Sequence, residues 1–410
     1  MKRLALITNA LLICNLCFAQ VDDKDVKEAD TATHITKEAI LHDLDAYTIG
    51  IRRNHVRPFL HIKKSEFIDR VQAIKDSAAR YGADELMVQL LQVNALLQDE
   101  DTYIEYNPRD IIPLYFYWYD EGIFLTGGLE KDKKLFGSKL IAVNAIPIDS
   151  VAAAITTVMS NKDLQRVRAY VPGSLTDPYL LHGLQIAHSR QDITYTLVSP
   201  ARDTINVTPG LVGRNTEKME CQCDGKNMLV HSQKGMHWFK YIDTGGYIYF
   251  MCGPDREKKK NAFNDVEAAF MTALDVKKPE KIIIDLRYDW GGRETLLKPL
   301  IDDLTFMPQK RKRQLYVLIG KKTFYSGITN AVALRDRAKA ILVGEVTGSN
   351  TNDFWSTGTF VLPDTKLIIH YSAGYGNPHP GALNPDVAIP DTYADFDKGI
   401  DAALQYAIQH

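Results

Sequence analysis

A serine on a tight turn is the residue of this sequence best placed for covalent chemistry. The stretch "KKTFYSGITNAVALRDRAKAILVGEVTG" (321–348) indicates a strand end, a turn, a helix and a second strand. Ser326 lies at the turn, just before Gly327, where a serine can present its hydroxyl while neighbouring N–H groups stabilise developing negative charge. Alternatively, Ser326 is the N-cap of the following helix.

A glycine pair after an apolar strand is the second feature with chemical potential. The stretch "IIIDLRYDWGG" (282–292) ends in Gly291 and Gly292. Glycines allow backbone N–H groups to approach a ligand closely, as an oxyanion hole requires. An ordinary strand-to-helix turn is the alternative. Because neighbouring parallel strands end at the same edge of a sheet, we expect the pair to lie beside Ser326.

Asp285 and Arg287 end the same strand, and we interpret both as structural. Strand alternation points their side chains in the same direction. A charged pair at a strand end is expected to form hydrogen bonds with neighbouring loops.

An α/β core over residues 245–410 is predicted to position these features. Its short apolar strands are "GYIYFMC", "KIIIDLR", "QLYVLIG" and "AILVGEV". Amphipathic helices separate them, notably Asn264–Leu274 and Gly327–Ala338. Strands that alternate with helices predict a parallel sheet covered by helices on both faces.

Two further units are expected before this core. Residues 37–105 form a helical unit with Ser65 as an N-cap, because apolar residues recur there at helical spacing. Residues 106–210 form a β-rich module with a hairpin over 114–128, and residues 211–244 add a linker and a strand. The aromatic "YFYWY" run of the hairpin could line a peptide groove, although strand alternation must bury half of it.

The first residues are typical of a secretory signal peptide. A basic start, a short apolar stretch and a small-x-small cleavage site occupy residues 1–19, and a charged flexible leader follows over 20–36. We therefore expect a periplasmic or secreted protein. A membrane anchor is disfavoured because the apolar stretch is short. Lipid attachment at Cys14 or Cys17 is also disfavoured, because neither cysteine follows small residues.

Charge and cysteine content narrow the function further. Cleavage removes Lys2 and Arg3, so two of the 49 basic residues are lost and 47 remain against 51 acidic ones, a net charge of −4. This balance gives no general attraction to nucleic acid or anionic membranes. Cys252 is expected to form a disulfide with Cys221 or Cys223. The cysteines lack a second Cys or His pair at the spacing of zinc ligands, so we expect no metal or cofactor.

The order of the motifs resembles that of the tail-specific (C-terminal processing) serine peptidases, in their Bacteroidetes-type form with tricorn-like relatives. The segments that carry this resemblance are "NHVRPFLHIKKSEFIDRV", "LLQDEDTYIEY", "GSKLIAVNAIPIDSV", "KIIIDLRYDWGG", "TFYSGITNAVALRDRAKAILVGEVTG" and "ALNPDVAIPDTYADFDKGIDAALQYA". The resemblance implies a crotonase-like ββα-spiral core, a helical N-terminal unit and a PDZ-like β module. It also implies a polypeptide ligand, bound as an extended segment near its C-terminus, with Gly291, Gly292 and Gly327 at the peptide site.

The resemblance fails at the catalytic positions. The family nucleophile aligns with Tyr325, while Ser326 aligns with the second serine of the family motif. The lysine of the Ser–Lys branch aligns with Asn350, and the histidine of the tricorn-like branch aligns with Asp101. Ile328 replaces the usual glutamate. A phenol, an amide and a carboxylate cannot supply the chemistry of the residues that they replace.

Downstream residues offer substitutes for the missing base, namely His370, His379 and Asp353. Each is better interpreted as a surface or hydrogen-bonded loop residue. The sequence therefore favours a protein that binds polypeptide with weak or no hydrolysis. A serine endopeptidase that uses Ser326 with a non-standard base is the alternative. A purely structural envelope protein is disfavoured because the glycine pair and the turn are retained.

Overall fold

The computed structural model describes residues 36–214, 219–222, 228–231, 235–254, 262–293, 295–307, 313–349, 354–376 and 381–410. The predicted signal peptide, and all but the last residue of the predicted leader, lie outside these ranges. Among the described residues, no helix has both the length and the apolar character needed to cross a membrane.

Helices and strands alternate along much of the described chain. The α-helices are α1 (Lys37–Asn54), α2 (Lys64–Ser77), α3 (Ala83–Ala95), α4 (Ile148–Thr156), α5 (Leu164–Ser174), α6 (Pro178–Gly183), α7 (Ala262–Lys277), α8 (Lys298–Phe306), α9 (Ser326–Ala338), α10 (Tyr393–Asp397) and α11 (Ala402–Gln409). The first strands are β1 (Tyr103–Glu105), β2 (Asp110–Ile111), β3 (Leu114–Tyr119), β4 (Gly122–Gly128), β5 (Lys139–Val143), β6 (Ile146–Pro147), β7 (Tyr195–Val198), β8 (Thr204–Val207), β9 (Val212–Gly213) and β10 (Glu220–Cys221). The later strands are β11 (His237–Ile242), β12 (Tyr247–Cys252), β13 (Lys281–Asp285), β14 (Gln314–Ile319), β15 (Ile341–Gly344), β16 (Phe354–Val361), β17 (Ile368–Tyr375) and β18 (Val387–Ala388).

The C-terminal part contains the predicted parallel sheet. Its strand order is β11-β12-β13-β14-β15-β18, and every neighbouring pair from β12 onward is parallel. Each residue of β12 is buried, because apolar clusters cover both faces of the sheet. Since β13 and β14 are parallel neighbours, the loops that follow them leave the same edge. The mixed α/β fold expected from the sequence is confirmed.

The β module (residues 106–210) contributes most of a second, antiparallel sheet of order β10-β4-β5-β7-β8. Strand β3 joins it by forming with β4 the hairpin that the sequence predicts. Strands β5 and β6 are connected by Asn144 and Ala145, whose φ angles of 47° and 63° match the turn that a two-residue hairpin favours. The helices α4, α5 and α6 contribute apolar side chains to the core of this sheet.

The N-terminal helices pack against a late hairpin. Helices α1, α2 and α3 share one apolar cluster with Leu362, Leu367 and Ile369. Strand β17 pairs with β1 in a three-stranded sheet completed by β16. The predicted division into a unit over 37–105 and a core over 245–410 does not anticipate the pairing of β1 with β17, because these strands lie far apart in the chain.

Two sequence expectations are wrong. Ser65 is not an N-cap, because α2 begins at Lys64 and Ser65 lies inside its first turn. Cys252 is not in a disulfide; it is a buried thiol whose Sγ lies 3.6 Å from Nδ1 of His237, whereas Cys221 is disulfide-bonded. The reason is topological: β12 holds Cys252 inside the α/β core, while β10 places Cys221 against β4 of the other sheet.

Candidate functional site

The turn between β14 and α9, here called the elbow (residues 323–327), holds a tyrosine in a strained backbone conformation. Tyr325 is the N-cap of α9 and has φ 45° and ψ −114°. A bulky residue with positive φ is a true outlier, and such strain concentrates at functional sites. Ser326 is the first residue of α9, and only 4% of its surface is exposed. Tyr325, not Ser326, therefore occupies the strained position of the turn.

The elbow is fixed to the loop that follows β13, here called the glycine loop (residues 286–292). Thr323 donates its hydroxyl to the Leu286 carbonyl at 2.8 Å, and the Phe324 N–H donates to the Asp289 carbonyl at 2.9 Å. Gly327 is required by this close approach, because a Cβ at that position would lie 2.5 Å from the Asp289 carbonyl oxygen.

The glycine loop lies directly beside Tyr325. Gly291 and Gly292 have φ angles of 114° and 142°, a region that favours glycine. A Cβ on Gly291 would lie 3.1 Å from Cδ2 of Tyr325. The N–H of Gly291 donates to Oδ1 of Asp289 at 3.1 Å. The structure thus brings the glycine pair to the elbow, with the Gly291 N–H already bonded to a side chain.

The Tyr325 hydroxyl lies in an environment that keeps it protonated. Burial raises the pKa of Tyr325, and the negative charges of Asp101 and Glu100 raise it further. Arg166 opposes them through its positive charge and a hydrogen bond to the hydroxyl. A phenol with a raised pKa is a poor nucleophile near neutral pH.

Asp101 belongs to a loop that a buried histidine anchors. Nε2 of His55 lies 2.9 Å from Oδ2 of Asp99, and both side chains are at most 2% exposed. Because Nδ1 of His55 accepts the Arg57 N–H at 3.0 Å, Nε2 must carry the proton and donate to Asp99. Asp99 also accepts the Asp101 N–H at 2.9 Å. The sequence analysis missed this pair, although "NHVRP" and "DEDT" both lie in segments that it singled out.

Arg166 on α5 and Glu100 were also missed, and both adjoin the elbow. Nη1 of Arg166 lies 3.7 Å from Oε2 of Glu100, and the guanidinium lies 4.8 Å from the centre of the Phe324 ring. Asn161 donates its amide to Oε1 of Glu100. Burial raises the pKa of Glu100, while Arg166 lowers it. No local motif marks Arg166, and although Glu100 lies in the segment "LLQDEDTYIEY", nothing in that segment indicates a partner from another unit.

Of the residues proposed as substitute bases, His370 is the one that lies in the described part of the chain. His370 is buried in β17, where Nε2 lies 3.2 Å from Oε2 of Glu105 and the ring stacks on Tyr103 at 4.2 Å. It is a hydrogen-bonded structural residue. Asn350, Asp353 and His379 lie outside the described residues.

Asp285 and Arg287 form a buried ionic network with Asp401. Nη2 of Arg287 lies 2.6 Å from Asp285 and 2.7 Å from Asp401, and Tyr249 donates its hydroxyl to Asp285 at 2.5 Å. Burial acts to raise the pKa of Asp401, but Arg287 outweighs it and the pKa is lowered. These contacts join β13 to α11, which agrees with the structural role assigned from the sequence.

The aromatic run of β3 contributes to a second link between the β module and the core. Lys321, only 2% exposed, has Nζ 2.9 Å from both Glu345 and Asp391. Tyr117 donates its hydroxyl to Asp391 at 2.6 Å, and its ring lies 4.6 Å from the Lys321 ammonium. Tyr119 packs against Tyr393 in the same region. Tyr117 and Tyr119 thus join the module to the core.

No family model and no curated protein matches the sequence. Solved structures do match. A mutant form of CPAF is 11% identical, with 88% of this chain and 95% of that chain covered and a TM-score of 0.65. Mature CPAF in complex with lactacystin is 13% identical, with 91% and 97% covered and a TM-score of 0.64. The photosystem II D1 C-terminal processing protease is more distant: 12% identical, with 86% and 92% covered and a TM-score of 0.39. The chain therefore shares the fold of CPAF over most of its length.

Proposed function

We propose that this protein binds extended polypeptide segments, near their C-termini, and hydrolyses them weakly or not at all. The observation that carries the proposal is Tyr325 in the strained position of the elbow, with φ 45° and its ring against Gly291. The position that the sequence resemblance gives to the serine nucleophile is thus filled by a phenol.

The chemistry of the elbow supports the absence of efficient hydrolysis. A tyrosine hydroxyl whose pKa is raised by burial and by two carboxylates has little phenolate to attack a carbonyl. Ser326 is buried at the start of α9, so its hydroxyl has little surface to offer a substrate. The N–H of Gly291, a candidate oxyanion donor, donates to Asp289.

Retained features of the scaffold support binding. The glycine loop keeps two glycines with positive φ beside the elbow, a backbone conformation that other residues rarely adopt. The fold is that of CPAF over most of the chain. We further propose that the protein is exported, from the signal-peptide pattern of residues 1–19, and that the β module borders the polypeptide groove.

Hydrolysis is tested with a fluorophosphonate probe and intact-mass measurement on the mature protein, together with cleavage of a disordered protein substrate. We expect no labelling and no robust cleavage. Labelling at Ser326, or cleavage that disappears in Ser326→Ala, would replace the binding proposal by the serine endopeptidase alternative.

Binding is tested by fluorescence anisotropy with a library of labelled peptides that carry free or amidated C-termini. We expect saturable binding that weakens on amidation and is lost in Gly291→Ala, whose Cβ would lie 3.1 Å from Tyr325. Gly381→Ala is the matched control, because Gly381 has φ 95° but open space at its Cβ position. Equal losses in both variants, or no binding by any peptide, would contradict the proposal.

A further inference from the structure

Arg166 reaches from the β module to the elbow and places its guanidinium among three different chemical groups. Oε2 of Glu100 lies 3.7 Å from Nη1, the ring centre of Phe324 lies 4.8 Å from the guanidinium carbon, and the Tyr325 hydroxyl accepts a hydrogen bond. A carboxylate, an aromatic face and a hydroxyl oxygen are the partners that a guanidinium group prefers. The three groups surround one cation.

Glu100 holds a buried oxygen atom that the present arrangement leaves without a hydrogen bond. Its side chain is 7% exposed, and Oε1 accepts from the Asn161 amide. Oε2 is buried and has no hydrogen-bond partner among the described residues. A buried carboxylate oxygen without a hydrogen bond is unfavourable, and 3.7 Å is too long for one to Arg166. The oxygen is therefore available to a cation that approaches more closely.

Arg287 provides the contrast of an arginine built into the structure. Its Nη1 and Nη2 atoms lie 2.6–2.8 Å from the carboxylates of Asp285 and Asp401. Arg166 has a much looser ion pair, and it comes from a different unit of the chain than Glu100 and Phe324. Exchanging this one ion pair for a closer contact with another guanidinium therefore costs less than breaking a short bond of the Arg287 network.

We propose that Glu100, Phe324 and Tyr325 form a binding site for the guanidinium of an arginine side chain in the bound polypeptide, and that Arg166 occupies this site when no polypeptide is present. The proposal rests on the polypeptide-binding function inferred above and names its preferred ligand. The site adjoins Gly291, which itself contacts Tyr325, so the recognised arginine lies next to the glycine loop. Its binding displaces the Arg166 side chain from the elbow.

A small-molecule titration tests the site without any peptide. Calorimetry with N-acetyl-arginine amide compares wild type, Arg166→Ala and Arg168→Ala, the last a matched control because Arg168 lies on the same helix and pairs with Asp120 at 3.3 Å. We expect Arg166→Ala to bind at least about tenfold more tightly than wild type and the control. The double variant Arg166→Ala with Glu100→Gln should bind N-acetyl-arginine amide at least about tenfold more weakly than Arg166→Ala alone. N-acetyl-lysine amide should bind Arg166→Ala less tightly than the arginine compound does. Equal affinities across the three proteins would overturn the proposal.

A peptide measurement on the unaltered protein gives the second test and needs no variant to fold. Peptides that bind in the anisotropy assay are resynthesised with each arginine replaced by citrulline, which keeps the shape and removes the charge. We expect at least about tenfold weaker binding for one such replacement. Unchanged binding for every replacement would overturn the arginine preference while leaving polypeptide binding intact. Loss of all peptide binding in Arg166→Ala would also overturn it, because Arg166 would then be a direct ligand contact. If no peptide binds at all, the polypeptide function fails and the titration alone decides whether the guanidinium site exists.

Discussion

Gly327 and Asp289 are in backbone contact, and this contact joins the start of α9 to the glycine loop. A Cβ at position 327 would lie 2.5 Å from the Asp289 carbonyl oxygen, which itself accepts the Phe324 N–H at 2.9 Å. The elbow and the glycine loop are therefore packed directly against each other. Any side chain at position 327 must push the two apart.

Gly327→Ala is accordingly expected to destabilise the protein by about 1–3 kcal/mol through overpacking. Gly173→Ala is the matched control, because Gly173 is also helical but has open space at its Cβ position. The control should be neutral or up to about 1 kcal/mol more stable, since alanine favours a helix over glycine. Urea unfolding measures both, and equal effects would contradict the contact.

Arg287→Ala should cost about 3–5 kcal/mol of unfolding free energy, because it leaves Asp285 and Asp401 buried without their cation. Arg335→Ala is the control, since Arg335 pairs with the exposed Asp336 and should change stability by less than about 1 kcal/mol. The measurement is chemical denaturation. An unchanged melting temperature combined with lost peptide binding would place Arg287 in the site instead.

Asp177 should make stability depend on pH in a direction unusual for a carboxylate. Burial raises its pKa to about 6, although the N–H groups of Leu180 and Tyr179 oppose the shift. Between about pH 4 and 6 the folded state then holds a proton that the unfolded state has lost, so this group's contribution to the unfolding free energy falls as pH rises through that window. The loss is on the order of 2–3 kcal/mol.

Asp177→Asn tests this expectation, because asparagine preserves the N-cap of α6 without the charge. Urea unfolding of both proteins at pH 4, 5, 6 and 7 should show the variant gaining relative stability as pH rises. A stability difference that does not vary with pH would contradict the raised pKa.

Tyr325→Ser should not restore proteolysis by itself. The serine would lack a base, because the sequence resemblance places Asp101 and Asn350 where a histidine or a lysine would serve, and general-base assistance is worth about 10²–10⁴-fold in rate. Tyr325→Ser with Asn350→Lys should gain at most weak activity, since catalytic groups act as a non-additive unit. Cleavage of a disordered protein, with wild type alongside, is the assay. Robust cleavage by the single variant would show that a base is already in place.

The sequence by itself determined the local elements. Short apolar strands and the helices between them predicted the parallel sheet, and the stretch over 114–128 predicted the β3–β4 hairpin. Periodicity and turn chemistry act over a few residues, so they can be read from one chain. The same locality explains why the glycine pair and the elbow were found: each follows its own buried strand, and parallel neighbours end at one edge.

Only the tertiary structure decided which residues meet at that edge. Arg166, Glu100 and Tyr325 come from a helix of the β module, the loop before β1 and the elbow, and no periodic pattern relates them. The pairing of β1 with β17 and the buried thiol of Cys252 have the same origin. Such contacts depend on how helices and strands pack together, because burial and charge pairing between distant segments are properties of the whole fold.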